Sequence, residues 1–106
     1  MTYNKLVRDR IPEIIKARGK NPVTKTLGQK SYLKALRQKL QEEVDEYLDA
    51  AEPGAQTEEL ADILEVIYAL SSTANSTPEK IEKLRAEKAR ERGGFSQKIY
   101  LANVID

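Results

Sequence analysis

The sequence predicts an all-α fold, an antiparallel bundle of about four helices with short extended segments at either end. Three observations carry this. Leu33, Leu36, Leu40, Val44, Tyr47 and Leu48 form one apolar stripe at helical spacing. The segment Leu60–Leu70 is apolar nearly all round, the pattern of a helix at the centre of a bundle. Charged residues make up 33% of the 106 residues and aromatics only 6%, a balance that suits helices with solvated outer faces. A chain of this length reads as one domain, residues 1–106, with a modest core that oligomerisation would supplement.

Taken in order, residues 1–10 mix charged and apolar side chains and form an extended lead-in. A short helix follows: Pro12 suits its first turn, Ile11, Ile14 and Ile15 supply an apolar face, and Gly19 suits its stop. Alternation over Val23–Leu27 predicts a short strand. The second helix is expected from about Ser31, a good N-cap, to Ala51. Pro53-Gly54 is read as its end and a turn, and the third helix as beginning near Thr57. Residues 71–77 are read as a polar connection. Pro78 points to an N-cap at Thr77, with a Ser76–Glu79 capping box as the alternative. A charged fourth helix then runs to about Arg92. Gly93-Gly94 breaks it, and Phe95–Leu101 reads as a strand or extended tail.

Composition narrows the chemistry. There is no Cys, so disulfides and thiolate metal sites are excluded. There is no His, which removes the commonest general base and every Ser–His arrangement. What remains is carboxylates, Lys, Arg, Tyr, backbone and metal-bound water. A net charge of +1 argues against polymeric nucleic acid as a partner. No apolar run is long enough for a membrane span and the N-terminus lacks an apolar signal core, so a cytoplasmic location is expected.

Two acidic pairs stand out. Glu43 and Glu46 lie three apart on the second helix, and Glu59 and Asp62 three apart on the third. Residues at that spacing share a face, so each pair aims two carboxylates one way. Helical phase turns Glu43 and Glu46 towards the apolar stripe and Glu42, Asp45 and Asp49 to solvent. A lone Glu-x-x-Glu is usually a solvated helix face. Here a second pair lies across a Pro-Gly turn, on the most apolar helix of the chain. Four carboxylates so placed repel one another unless a cation neutralises them. The hard oxygen set suits Mg²⁺ or Mn²⁺ and the phosphates such ions bind. Gly93-Gly94 has a plain role as a helix stop, but Lys88 and Arg92 lead into it and make a phosphate cradle the alternative. Lys5, Arg8 and Arg10 form a basic N-terminal cluster that is either a set of ion pairs, Arg8 beside Asp9, or a second anion contact. Tyr32, Tyr47 and Tyr68 fall at packing positions.

Four segments carry a resemblance: Asn4–Ile15 (NKLVRDRIPEII), Lys39–Glu46, Glu58–Ile67 and Arg92-Gly-Gly-Phe95. Together they resemble the phosphoribosyl-ATP pyrophosphohydrolase-like branch of the all-α, MazG-like nucleotide pyrophosphohydrolases. Arg10 stands where Lys is as often expected, which keeps the charge and changes the hydrogen-bond geometry. The resemblance implies a helical homodimer or larger assembly that binds Mg²⁺, or Mn²⁺, through Glu43, Glu46, Glu59 and Asp62. It implies hydrolysis of a nucleotide substrate between the α and β phosphates, giving a monophosphate and pyrophosphate. Glu43 or Glu46 is the expected acceptor of the attacking water's proton, and Lys5, Arg8, Lys39, Lys88 and Arg92 are the expected substrate contacts. The alternative is a non-catalytic nucleotide-binding or dimerisation module on the same scaffold. A third reading, a partner-binding adaptor, would use the acids only as a surface.

Overall fold

A computed structural model describes residues 3–106; Met1 and Thr2, the start of the N-terminal segment, lie outside that range. Four helices are present, α1 (Ile11–Ala17), α2 (Gln29–Asp49), α3 (Pro53–Thr73) and α4 (Pro78–Arg92), and no strand occurs among the described residues. The all-α expectation holds.

The expected strand at Val23–Leu27 is absent, and so is one in the Phe95–Leu101 segment. Neither segment pairs with a second strand, the Phe95–Lys98 stretch closes on itself in a turn with the Lys98 N–H donating to Phe95 O at 3.2 Å, and Val23 and Phe95 are each 98% exposed. Alternation without a second edge does not make a sheet.

Local chemistry explains most boundaries. Gly19 takes a left-handed φ of 79° after α1, and the N–H of Lys20 donates back to Ile15 O at 3.2 Å, which closes the helix as expected. Thr77 caps α4: its Oγ1 accepts from the Lys80 N–H at 3.1 Å, with Pro78 at the first helical position. That settles Thr77 over the Ser76 alternative. Gly93, at φ 83°, ends α4.

The middle boundaries differ from expectation. α2 starts at Gln29 rather than Ser31: extended Gly28 offers its carbonyl to the Tyr32 N–H at 2.8 Å, and Gln29 and Lys30 are good helix formers. It ends at Asp49, two residues early. α3 starts at Pro53 rather than Thr57, because Pro fits a first turn where its missing N–H is not needed. The turn is therefore Ala50–Glu52, closed by Gln56 Nε2 donating to Ala50 O at 3.0 Å. Ser71, Ser72 and Thr73 remain helical. Each hydroxyl donates to the carbonyl three residues back, at 2.6, 2.9 and 2.6 Å. Asn75, at φ 53°, then ends the helix, with the Ser76 N–H returning to Ser71 O at 2.9 Å.

The packed unit is the α2–α3 hairpin. Both helices have 21 residues, about 31 Å of helix each. They pair along their length with Ala51 as the pivot. Leu36 and Val66, each fifteen residues from Ala51, are the buried apolar residues among those described. α3 packs lightly on α4, and α1 packs on no other helix. Consequently α3 is not covered all round as its composition led one to expect: Leu60, Leu64 and Tyr68, four apart along one side, stay exposed.

Charge is laid out in blocks. Over residues 1–40 Lys and Arg outnumber Asp and Glu eleven to two, while residues 41–79 hold eleven acids and no Lys or Arg. The hairpin is thus basic at the start of α2 and acidic along the rest of α2 and all of α3.

Candidate metal centre

The hairpin register builds the site. Glu43 and Glu59 are each eight residues from Ala51 and so lie level across the helix pair. Glu46 is one turn nearer the connection. One carboxylate oxygen from each of Glu43, Glu46 and Glu59 lies within 4.8 Å of the others. Glu43 is buried, 6% exposed, Glu59 is half-buried and Glu46 is exposed at the rim.

The electrostatics of this cluster are unbalanced. Glu43 Oε2 and Glu59 Oε2 are buried and have no hydrogen-bond partner. Buried polar atoms are rarely left so, and charged ones least of all. The Glu59 carboxyl is pushed up from its ordinary 4.5 to about 7. Loss of water is the largest cause. The carboxyls of Glu43 and Glu46, close enough to share its proton, come next, and their negative charge adds to them. Lys39 gives partial relief, with its Nζ 3.3 Å from Glu43 Oε1 and 3.9 Å from Glu42.

The donor set fits a hard divalent cation. Three carboxylates converge from two helices, two buried carboxylate oxygens among them are unsatisfied, and no imidazole or thiolate competes.

Asp62 is not part of this convergence. Antiparallel register sets Glu46 and Asp62 on opposite sides of the Glu43–Glu59 level: the second acid of α2 lies one turn towards the connection, and the second acid of α3 one turn away from it. Three residues of rise on each side separate Glu46 from Asp62 by about 9 Å along the hairpin axis. Asp62 Oδ1 instead accepts from Arg8 Nη2 at 2.7 Å.

The basic residues are dispersed. Lys5 lies 5.7 Å from the centre of the Tyr3 ring, beside a shallow cleft of about 290 Å³ bounded by Tyr3, Lys5, Gln38 and Glu42. Glu42 also faces Lys39, so this cleft adjoins the carboxylates. Arg10 pairs with Glu13 at 2.7 Å. Lys88 and Arg92 are exposed on α4, and among the described residues no ion pair or hydrogen bond joins them to the cluster. Glycine backbone at Gly93-Gly94 is open, with nothing within 4 Å of either Cβ position.

Sequence reasoning missed two contacts. The i,i+4 spacing of Lys39 and Glu43 already implied theirs. Arg8 and Asp62 are 54 residues apart, and no local pattern announces that pair.

No helix among the described residues is long and apolar enough to cross a membrane. No solved structure matches the chain. An uncharacterized protein of Mycolicibacterium smegmatis is 58% identical over 41 residues, which is 39% of this chain. The match spans 42% of that relative's length. The phosphoribosyl-ATP pyrophosphohydrolase family model matches residues 4–91, a span that takes in the basic N-terminal segment, both acidic pairs and all of α4 but its last residue, Arg92. The chain belongs to the phosphoribosyl-ATP pyrophosphohydrolase family.

Proposed function

We propose that the chain is a divalent-metal-dependent nucleotide pyrophosphohydrolase, which hydrolyses a nucleoside triphosphate or related nucleotide to the monophosphate and pyrophosphate. The observation that carries this reading is the meeting of Glu43, Glu46 and Glu59 across two helices, with two buried carboxylate oxygens unsatisfied. These three residues, with Asp62, would hold Mg²⁺ or Mn²⁺. The bound ion supplies neutralising charge to phosphate oxygens and acidifies water. Glu46, exposed at the rim, is better placed than buried Glu43 to take a proton from the attacking water. Lys5, Arg8, Lys39, Lys88 and Arg92 are the cations available to the departing pyrophosphate. Choice of the α–β bond rests on family membership. The lack of a Gly-x-x-x-x-Gly-Lys-Ser/Thr phosphate loop argues against γ-phosphate chemistry of that kind. A cytoplasmic location is proposed with this activity.

A homodimer or larger assembly belongs to the same proposal. The radius of gyration is 18.2 Å, against about 13 Å for a compact chain of this length. Accessible surface is 9711 Å², against about 6,000 Å² for a folded monomer of this mass. The difference, roughly 3,700 Å² per chain, exceeds the roughly 1,000–2,500 Å² per subunit that a permanent interface removes, so such an interface accounts for part of it. Leu60, Leu64 and Tyr68 are the side chains it would cover. Light scattering tests this; a monomer mass at tens of micromolar would refute it.

Phosphorus NMR on a panel of nucleoside triphosphates with Mg²⁺ tests the reaction. Monophosphate and pyrophosphate are the expected products. Diphosphate and orthophosphate as sole products would overturn the bond assignment. Binding of nucleotide with no turnover would favour the non-catalytic module.

A further inference from the structure

Asp62 and Arg8 each have a second possible partner. Asp62 lies on the cluster side of α3, one turn from Glu59, yet its carboxylate is held by Arg8 at 2.7 Å. Residues 41–79 contain no cation, so every positive charge that reaches these acids comes from outside that block. Among the described residues the two that do are Lys39, from the preceding turn of α2, and Arg8, from the segment before α1.

The two contacts differ in kind. Lys39 is four-fifths buried, and its partner Glu43 nearly wholly so. Arg8 and Asp62 keep 56% and 39% of their side-chain surfaces exposed, and a single Nη2–Oδ1 bond joins them. An exposed, singly bonded pair of this sort is weak and easily exchanged. Arg8 lies in the segment before α1, and α1 itself packs on no other helix.

We propose that Arg8 is a positioning residue that exchanges partners: it holds Asp62 off the centre until a polyphosphate arrives, then transfers to a phosphate and releases Asp62 to the cation. This rests on the metal-centre reading above and goes beyond it by coupling the fourth acid to substrate. The chemistry favours the exchange. A guanidinium binds the oxygens of a phosphate at two points, where Asp62 offers it one bond, and a divalent cation replaces the charge that Asp62 loses. Metal and polyphosphate then assist each other's binding, and neither binds as well alone. Reciprocity of that kind follows from linkage.

The test uses Mn²⁺ and inorganic pyrophosphate as probes, measured by titration calorimetry on the full chain. With Mn²⁺ alone, Arg8→Ala is expected to bind several-fold more tightly than the parent, because Asp62 is already free. With Mn²⁺ present, the same variant is expected to bind pyrophosphate about tenfold more weakly. Arg8→Lys should recover part of the pyrophosphate affinity. Opposite signs for the two probes are not produced by a loss of structure, and Arg8→Gln repeats the comparison with a bulkier neutral side chain. In an Asp62→Asn background, removing Arg8 should no longer tighten Mn²⁺. Tightening that persists there is a plain charge effect and overturns the exchange. Unchanged or weaker Mn²⁺ binding by Arg8→Ala overturns it too, while leaving the metal centre standing. A parent chain that binds no Mn²⁺ overturns both.

Discussion

Lys39→Met probes the electrostatics of the carboxylate cluster most directly. Methionine keeps an unbranched stem of similar length in the packing and removes only the charge. At 3.3 Å from Glu43 Oε1, the ammonium contributes about 5 kcal/mol of gross attraction at an effective dielectric of about 20. The cost of desolvating a four-fifths buried ammonium offsets roughly half of that, leaving about 2–3 kcal/mol. For a chain of this size that is a fall in Tm of about 10–20 °C. The same loss should nearly vanish in saturating Mg²⁺, because an ion held by Glu43, Glu46 and Glu59 supplies the charge that Lys39 supplied. The assay is a pair of melting curves for parent and variant, one in chelator and one in Mg²⁺. Equal deficits in the two would show that the ion does not reach Glu43. No deficit in chelator would show that Lys39 leaves the cluster's repulsion untouched.

Glu59 makes metal-free stability depend on pH. Its folded value, about 7, lies above the ordinary 4.5, so its contribution is complete below about 4.5 and is lost as the pH rises through about 7. Melting in chelator should show parent stability falling over that window relative to Glu59→Gln; parallel curves would refute it. Glu43→Gln and Asp62→Asn should each abolish metal-dependent pyrophosphate release, while Glu42→Gln and Asp49→Asn retain it. Equal losses in all four would remove the face assignment. Leu36→Ala, at a position 3% exposed, should cost about 2–4 kcal/mol in denaturant unfolding, and a cost below about 1 kcal/mol would show that the hairpin core is not where burial places it. Leu64→Glu should halve the mass seen by light scattering without lowering helix content, and an unchanged mass would move the interface elsewhere.

Much of this architecture is local and was legible for that reason. The ends of α1 and α4 follow from Gly19, Thr77-Pro78 and Gly93, whose backbone preferences act within one turn. The burial of Glu43 against exposed Asp45 and Asp49 follows from helical phase, whereas Glu42, turned to solvent by the same phase, is half-buried beside Lys39 and Glu46 is exposed. Misreadings arose where one residue type serves two roles. Pro53 can stop one helix or start the next, and three residues of context do not decide which. Ser71–Thr73 look like loop residues until their hydroxyls bond back to the helix. Alternation at Val23–Leu27 lacked the partner that would make it a strand. The contact from Arg8 to Asp62 joins residues 54 apart and is a property of the folded chain that no local pattern carries.

The block layout of charge also bears on the order in which the chain is made. Residues 1–40 leave the ribosome before any of the acidic block and carry nine more positive charges than negative. α2 has no helix to pack on until α3 has followed it out, so its apolar stripe and the basic block before it stay uncovered until about Thr73 is free. Before the acids follow, residues 1–40 are a polycation beside ribosomal RNA, and phosphate attraction of this kind is strong at low salt and falls steeply as salt rises. Emergence of eleven acids in the next 39 residues cancels the charge and supplies the packing partner together, so a chain cut near Leu40 should adhere to RNA where the whole chain does not.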